Sequence, residues 1–94
     1  RLKYVAFRQD EAHLGDKYIR VLKEGYVSME PAQNLLVIRT VSGMAMAAAA
    51  AVDALKLEEI VGCIAGDNTI MAAMRSAQDA VIVREKLQKM IEEL

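Results

Sequence analysis

The 94 residues predict an α+β fold, a two-layer sandwich with an antiparallel-rich four-stranded sheet and helices packed on it. Three observations lead to this prediction. The chain is long enough for one small domain only, residues 1–94. Its apolar residues alternate between helix-like and strand-like spacing. The strand-like runs come in pairs, each joined by a short turn-forming segment, which gives the order α-β-β-α-β-β-α.

The first half of the chain predicts one helix and one hairpin. The helix covers Asp10–Glu24 and ends at Gly25, because apolar residues three or four positions apart form one face. The residues of that face are Leu14, Tyr18, Val21 and Leu22. Tyr26–Glu30 and Leu35–Val41 are rich in strand-forming residues, and Pro31–Asn34 between them predicts the turn.

The second half repeats this arrangement. Strong helix formers predict a helix over Met44–Leu55, with Ser42 as its N-cap. Ile60–Ala65 and Thr69–Arg75 predict a second hairpin. The Gly-Asp-Asn segment at 66–68 joins them, since these residues tolerate the positive φ of a tight turn.

The last predicted helix begins at Ser76. Asp79 follows three residues later, in a pattern similar to a capping box with Asp in place of Glu or Gln. Apolar residues then recur at helical spacing on one face, which we expect to cover the sheet. They are Ala80, Val83, Leu87, Met90, Ile91 and Leu94.

Composition excludes several classes of protein. The longest apolar stretch, Met44–Val52, is far below the ~20 residues that span a bilayer, and no signal peptide is visible at the start. The single cysteine allows no internal disulfide and fits a cytoplasmic location. Twelve basic and thirteen acidic residues give a net charge of −1, without a basic run, so these residues lack the charge of a DNA-binding surface.

Catalytic and metal-binding residues are sparse, so we predict no catalytic site, no metal site, no cofactor and no enzyme activity. His13 is the only histidine and is interpreted as a surface or hydrogen-bonded residue of the first helix. Cys63 has apolar neighbours and no flanking base, which favours a buried structural thiol. The glycines match neither common phosphate-binding pattern.

The alanine run at 47–51 and two aspartates remain open to interpretation. The small side chains allow close contact either with a neighbouring chain or within a tight two-layer sandwich. Asp53 follows the run near a helix C-terminus, where the helix dipole favours a cation instead. Asp67 lies in the second turn, where aspartate is common without any function.

Two segments together resemble the effector-binding domain of the bacterial arginine repressors. One runs from Thr40 through Gly43, with an aspartate ten residues after that glycine, to Leu55. The other is the Ile-Ala-Gly-Asp hairpin of residues 64–67, with Thr-Ile after it at 69–70. The resemblance implies a regulator of arginine biosynthesis and catabolism genes that binds L-arginine as its effector. It also implies trimers that pair into hexamers, and a separate N-terminal winged-helix domain for operator DNA, which is not among these 94 residues.

The resemblance also implies a ligand site. Asp53 is expected to meet the α-amino group of L-arginine together with the Ala65 carbonyl, and Asp67 of an opposing trimer to meet the guanidinium. The full set of residues implied for the L-arginine site is Ala45, Met46, Asp53, Cys63, Ala65, Asp67 and Asn68.

Two other functions compete with arginine sensing. Met46, Cys63 and Asn68 replace more polar residues of the family, which predicts lowered affinity. A structural oligomerisation domain with weak or no arginine response is therefore the alternative. A small α+β enzyme similar to the pterin dehydratases is disfavoured, because that chemistry relies on histidines.

Overall fold

The structure, a computed structural model, describes residues 16–93. This part of the chain contains three helices and four strands in the predicted order. The elements are α1 at residues 16–25, β1 at Tyr26–Ala32, β2 at Leu35–Thr40, α2 at Ala45–Leu55, β3 at Ile60–Ala65, β4 at Thr69–Met74 and α3 at Ala77–Glu93. The predicted start of the first helix, including His13 and Leu14, lies outside the described residues.

The four strands form one antiparallel sheet in the order β1-β2-β4-β3, which confirms the predicted sheet. The two hairpins therefore meet through β2 and β4 in the centre, and β1 and β3 form the edges. In this register Met71 of β4 lies between Val37 of β2 and Ile64 of β3. The side chains of these three paired residues therefore point to the same side of the sheet.

One side of the sheet carries the hydrophobic core, and the helices cover it. Alternate residues of the central strands are fully buried there, as are the apolar faces of the helices. The predicted apolar face of α3 is confirmed, with Met90 partly buried and Leu94 outside the described residues. The largest fully buried side chains are Leu22, Leu36, Ile38, Ile70, Leu87, Val52 and Val83.

The alanine run packs mainly within the chain. Ala45, Ala48, Ala49, Ala51 and Val52 are buried against the core. Small side chains let α2 approach the sheet closely, as the tight-sandwich interpretation requires. The remaining alanines of the run, at positions 47 and 50, are exposed.

The first hairpin is longer than predicted. Pro31, expected to begin the turn, lies in β1 and pairs with Leu36. An edge strand tolerates proline because half of its hydrogen-bonding groups have no partner strand. The turn is reduced to Gln33 and Asn34, and Gln33 takes a φ of 58°. The predicted four-residue turn at Pro31–Asn34 was therefore wrong in length.

The ends of other elements also shift. β2 ends at Thr40 and β4 at Met74, each one residue before the predicted end. Ser76 caps α3 as predicted, since its Oγ accepts a hydrogen bond of 3.1 Å from the N–H of Asp79. Across residues 16–93, no helix is both long and apolar enough to cross a membrane.

Candidate functional site

Asp67 lies directly at the N-terminus of α2. Its backbone carbonyl accepts hydrogen bonds from the N–H groups of Gly43 (3.1 Å) and Ala45 (3.2 Å). Its carboxylate Oδ2 accepts a hydrogen bond of 3.0 Å from Ser42 Oγ. The first turn of a helix leaves backbone N–H groups without partners, and the Asp67 carbonyl provides one for the N–H of Ala45. The hydrogen bond from Ser42 fixes the orientation of the Asp67 carboxylate, which is exposed.

This contact corrects the predicted N-cap. The N-cap of α2 is Met44, and no side chain within the described residues caps it. Ser42 does not cap α2, because its hydroxyl is committed to Asp67, and the Asp67 carbonyl bonds the first turn instead. Gly43 takes a φ of 81°, a left-handed conformation that glycine adopts without steric cost.

The loop that carries Asp67 is held from both sides. The carbonyl of Asn68 accepts a hydrogen bond of 2.8 Å from the N–H of Thr40, and Asn68 Oδ1 accepts one of 3.0 Å from Thr69 Oγ1. The N–H of Gly66 donates to the Thr69 carbonyl at 2.8 Å. None of residues 66–68 has a positive φ, so the turn conformation predicted for this segment was wrong. A three-residue loop closes the hairpin without it.

Asp53 lies near the other end of α2, where it meets β3. The Cys63 thiol donates a hydrogen bond to Asp53 Oδ1, with a sulfur–oxygen distance of 3.6 Å. Burial raises the pKa of the Cys63 thiol above its ordinary value, and the charge of Asp53 and this hydrogen bond raise it further. Cys63 is half-buried rather than fully buried, and it contacts a carboxylate that is itself exposed.

We expect the Cys63 thiol to react with iodoacetamide at about pH 8 more slowly than in the unfolded chain, because the thiolate is the nucleophile. Asp53→Asn removes the neighbouring charge, so the rate rises in this variant. It stays below the rate of the unfolded chain, since burial is the larger cause of the raised pKa. Mass spectrometry of the adduct over time measures the rates. Equal rates in the two folded proteins would contradict an effect of Asp53 on the thiol.

The predicted site residues fall into two groups at the ends of α2. Asp67, Asn68 and Ala45 are joined by contacts at its N-terminus, whereas Asp53 and Cys63 meet near its C-terminus. The rise of about 1.5 Å per residue places Ala45 and Asp53 about 12 Å apart along the helix. The structure thus offers one exposed carboxylate at each end of one helix.

The remaining predicted residues differ in accessibility. Met46 is 73% exposed in the first turn of α2, whereas Ala45 is completely buried and its N–H already bonds Asp67. Ala65 is the last residue of β3, directly before the loop, and is partly buried. Of these residues, only Met46 offers a freely accessible side chain beside the N-terminus of α2.

Within residues 16–93, the surface at the two aspartates does not enclose a ligand. The cavity beside Asp53 has a volume of about 90 Å³. Pockets that enclose small-molecule ligands measure roughly 300–1,000 Å³. Both aspartates are exposed, so a molecule the size of an amino acid would lie on an open surface. No three His, Cys, Asp or Glu side chains come together as a possible metal site within residues 16–93.

The sheet side that the helices of residues 16–93 leave uncovered is apolar, and the sequence alone did not indicate this surface. We call it the open sheet face and define it by Val37, Ile64 and Met71, which form one row across three strands. Ile64 is 79% exposed and Met71 is 49% exposed. Exposed apolar patches of this kind commonly mark a surface that contacts another protein.

Two further residues near the site were missed by sequence reasoning. Ser42 was assigned to capping, and only the folded contact with Asp67 reveals its position. Lys56 follows α2 in the left-handed conformation, with φ 53° and ψ 50°, and lines the cavity beside Asp53. The sequence carried no signal for this conformation, because glycine or asparagine usually occupies it and neither follows Leu55.

Known proteins similar to this chain agree with the resemblance seen in the sequence. The family model described as "Arginine repressor, C-terminal domain" matches residues 22–89. The chain is 56% identical over 89 residues to the arginine repressor of Lachnoclostridium phytofermentans, covering 95% of this chain and 59% of that protein. It is 53% identical over 91 residues to the arginine repressor of Lachnospira eligens, covering 97% and 60%. The chain spans about three fifths of the length of these curated relatives.

Proposed function

The chain belongs to the arginine repressor family, where it matches the C-terminal domain, and on this premise we propose that it senses L-arginine and assembles the subunits of a transcriptional regulator. The family consists of regulators rather than enzymes. We propose that L-arginine binds between two trimers and favours a hexamer, which controls genes of arginine biosynthesis and catabolism in the cytoplasm. We propose that operator DNA is bound by a winged-helix domain that is not among these 94 residues, and the chain spans about three fifths of the length of its curated relatives.

One observation carries this proposal: two exposed, hydrogen-bonded carboxylates occupy opposite ends of α2. L-Arginine has a positive charge at each end, an α-ammonium and a guanidinium. Asp53 can accept from the ammonium, since Cys63 bonds only one of its oxygens, and the resemblance assigns it that role. Asp67 suits the guanidinium, a planar group that a carboxylate accepts through two parallel hydrogen bonds.

The open surface supports a site shared between subunits. A second chain would exclude water from a ligand that one chain leaves exposed, and each subunit would contribute a carboxylate. A ligand that binds only the assembled state stabilises that state by mass action. Coupling of about 1–3 kcal/mol per site is typical of allosteric regulators, and several sites in one hexamer add to it.

The substitutions at Met46, Cys63 and Asn68 lower the polarity of this surface, so we propose a modest affinity for arginine. Met46 offers no strong hydrogen-bonding group, although it is exposed beside the N-terminus of α2. Asn68 leaves Asp67 as the only carboxylate of the loop. A single carboxylate attracts a cationic ligand less strongly than a pair does.

Isothermal calorimetry with L-arginine, L-citrulline, L-ornithine and L-lysine tests the proposal. We expect heat from arginine and binding at least about tenfold weaker for citrulline, whose side chain has the same shape without the charge. Native mass spectrometry should show more hexamer when arginine is present. No heat at millimolar arginine, with an unchanged oligomer mass, would favour the structural oligomerisation domain instead.

A further inference from the structure

The four strands of residues 16–93 contain just two charged residues, Glu30 of β1 and Arg39 of β2. Glu30 pairs with Val37 in the sheet register, so its side chain continues the row of the open sheet face on to the edge strand. Arg39 follows Val37 by two residues and therefore points to the same side of the sheet. Both side chains are exposed. The open sheet face thus combines an apolar row with one acid and one base beside it.

These two charges do not neutralise each other within the chain. The residues directly opposite Arg39 on the neighbouring strands are Ser28 and Thr69, which carry no charge. Glu30 is a diagonal neighbour of Arg39, a relation in which the two residues are about 7–8 Å apart. No ion pair joins them in the part of the chain that the structure describes. Water solvates both charges in one chain, but burial against another protein requires a partner of opposite sign for each.

We propose that the open sheet faces of two copies of this chain meet, and that the Glu30 carboxylate of one copy accepts hydrogen bonds from the Arg39 guanidinium of the other. This inference rests on the proposed function, in which the domain assembles subunits, and it adds the charged pair that orients one subunit on the next. A second copy fits this face because it supplies both an acid for Arg39 and a base for Glu30. An apolar partner would leave two buried charges unpaired, and a partner of one sign would leave one.

The pair gives the subunit contact its specificity. Apolar contacts are not directional, so the row of Val37, Ile64 and Met71 alone would allow several relative rotations of two sheets. Arrangements that bring two Arg39 side chains or two Glu30 side chains together are unfavourable, because like charges repel. The permitted arrangement joins a planar guanidinium to a carboxylate, which can form two parallel hydrogen bonds. Glu30 and Arg39 therefore select one orientation of neighbouring subunits.

Charge reversal tests this assignment. Glu30→Arg and Arg39→Glu each bring like charges together at every contact, so we expect each to raise the dissociation constant of the oligomer at least about tenfold. The double variant restores opposite signs in exchanged positions and should associate within about threefold of the parent chain. Glu85→Arg is the matched control, because Glu85 is an exposed acid on α3, outside the open sheet face. Sedimentation over a dilution series measures association, and thermal unfolding checks the fold of each variant.

Mixing the two single variants separates a contact between chains from one within a chain. Glu30→Arg has two bases on the open sheet face and Arg39→Glu has two acids. Each variant alone associates weakly, whereas a chain of one and a chain of the other match at both positions. We therefore expect the equimolar mixture to form oligomers that contain both variants, at concentrations where neither variant associates alone.

Two results would overturn this assignment and leave the proposed function standing. One is an unchanged dissociation constant in both folded single variants. The other is weakened association that neither the double variant nor the mixture recovers, which means that the two charges do not meet across a subunit contact. If the parent chain stays monomeric at all concentrations, with and without L-arginine, the proposed assembly fails and this assignment fails with it.

Discussion

We expect Asp67→Ala to abolish the proposed arginine-driven association of trimers and to leave each proposed trimer intact. The substitution removes the carboxylate proposed to bind the guanidinium but keeps the backbone carbonyl that bonds Gly43 and Ala45. The N-terminus of α2 therefore remains held, and the fold of the subunit persists. Analytical ultracentrifugation with and without L-arginine measures the shift from trimer to hexamer, which should disappear in the variant.

Ser42→Ala is the matched control for this experiment. It removes the same hydrogen bond of 3.0 Å to Asp67 Oδ2 but leaves the negative charge in place. A net hydrogen bond is worth about 0.5–1.5 kcal/mol, so we expect arginine to act at a severalfold higher concentration in this variant. Loss of the trimer itself in Asp67→Ala would assign Asp67 a structural role and contradict the proposed site.

A mixing experiment decides whether the two carboxylates of one site come from different chains. Asp53→Asn and Asp67→Asn each remove one half of every site, so neither variant alone should respond to arginine. The two variants are unfolded together and refolded as mixed oligomers. A site that takes Asp53 from one chain and Asp67 from another then has both carboxylates in roughly a quarter of cases. A site formed within one chain regains none. Recovered calorimetric heat in the mixture therefore supports the site between subunits, and its absence contradicts it.

The sequence was informative about the fold because hydrophobic spacing and local turn chemistry determine most of these elements. β3 begins and ends at Ile60 and Ala65, as its apolar run predicts. Ser76 caps α3 by accepting a hydrogen bond from the N–H of Asp79, three residues away, so a local sequence pattern predicts this cap as well. Ser42 differs, because its partner Asp67 is 25 residues away and only the fold brings them together.

The sequence proposes a set of site residues, which stays a prediction, but it does not give their geometry. The motif around Asp53 and the loop at Asp67 identified the family and the two carboxylates. These sequence features did not reveal which donors bond the carboxylates, nor that Ala45 is buried with its N–H bonded to the Asp67 carbonyl. Those facts depend on how α2 packs against β3, a tertiary property for which the spacing of residues in the sequence carries no signal.

The open sheet face was missed for a different physical reason. Strands that are apolar on both sides lack the alternation that distinguishes a buried face from an exposed one. In β3, Cys63 and Ala65 lie towards the helices while Ile64 between them points away, and all three are apolar or weakly polar. The sequence therefore predicted a strand there and could not predict which side the helices leave uncovered.

Introducing a charge on the open sheet face should dissociate the proposed trimer, if this face forms its subunit contact. We expect Ile64→Lys to raise the dissociation constant of the trimer about a hundredfold or more, because the side chain is 79% exposed in one chain and would be buried against another. The subunit itself should keep its fold, since Ile64 contributes little to the core within the chain. Light scattering after size-exclusion chromatography measures the mass, and thermal unfolding checks the fold.

Val81→Lys is the matched control, because Val81 is also an exposed apolar residue, 43% exposed, but lies on α3 and outside the open sheet face. It should leave the trimer unchanged. An intact trimer in Ile64→Lys would place the subunit contact elsewhere, and the exposed alanines of α2 would then be the next surface to test. Dissociation in Ile64→Lys alone would mean that the sheet forms the trimer contact, which leaves the ends of α2 free to bind arginine between trimers. Assembly and sensing would then use different surfaces of a 94-residue chain.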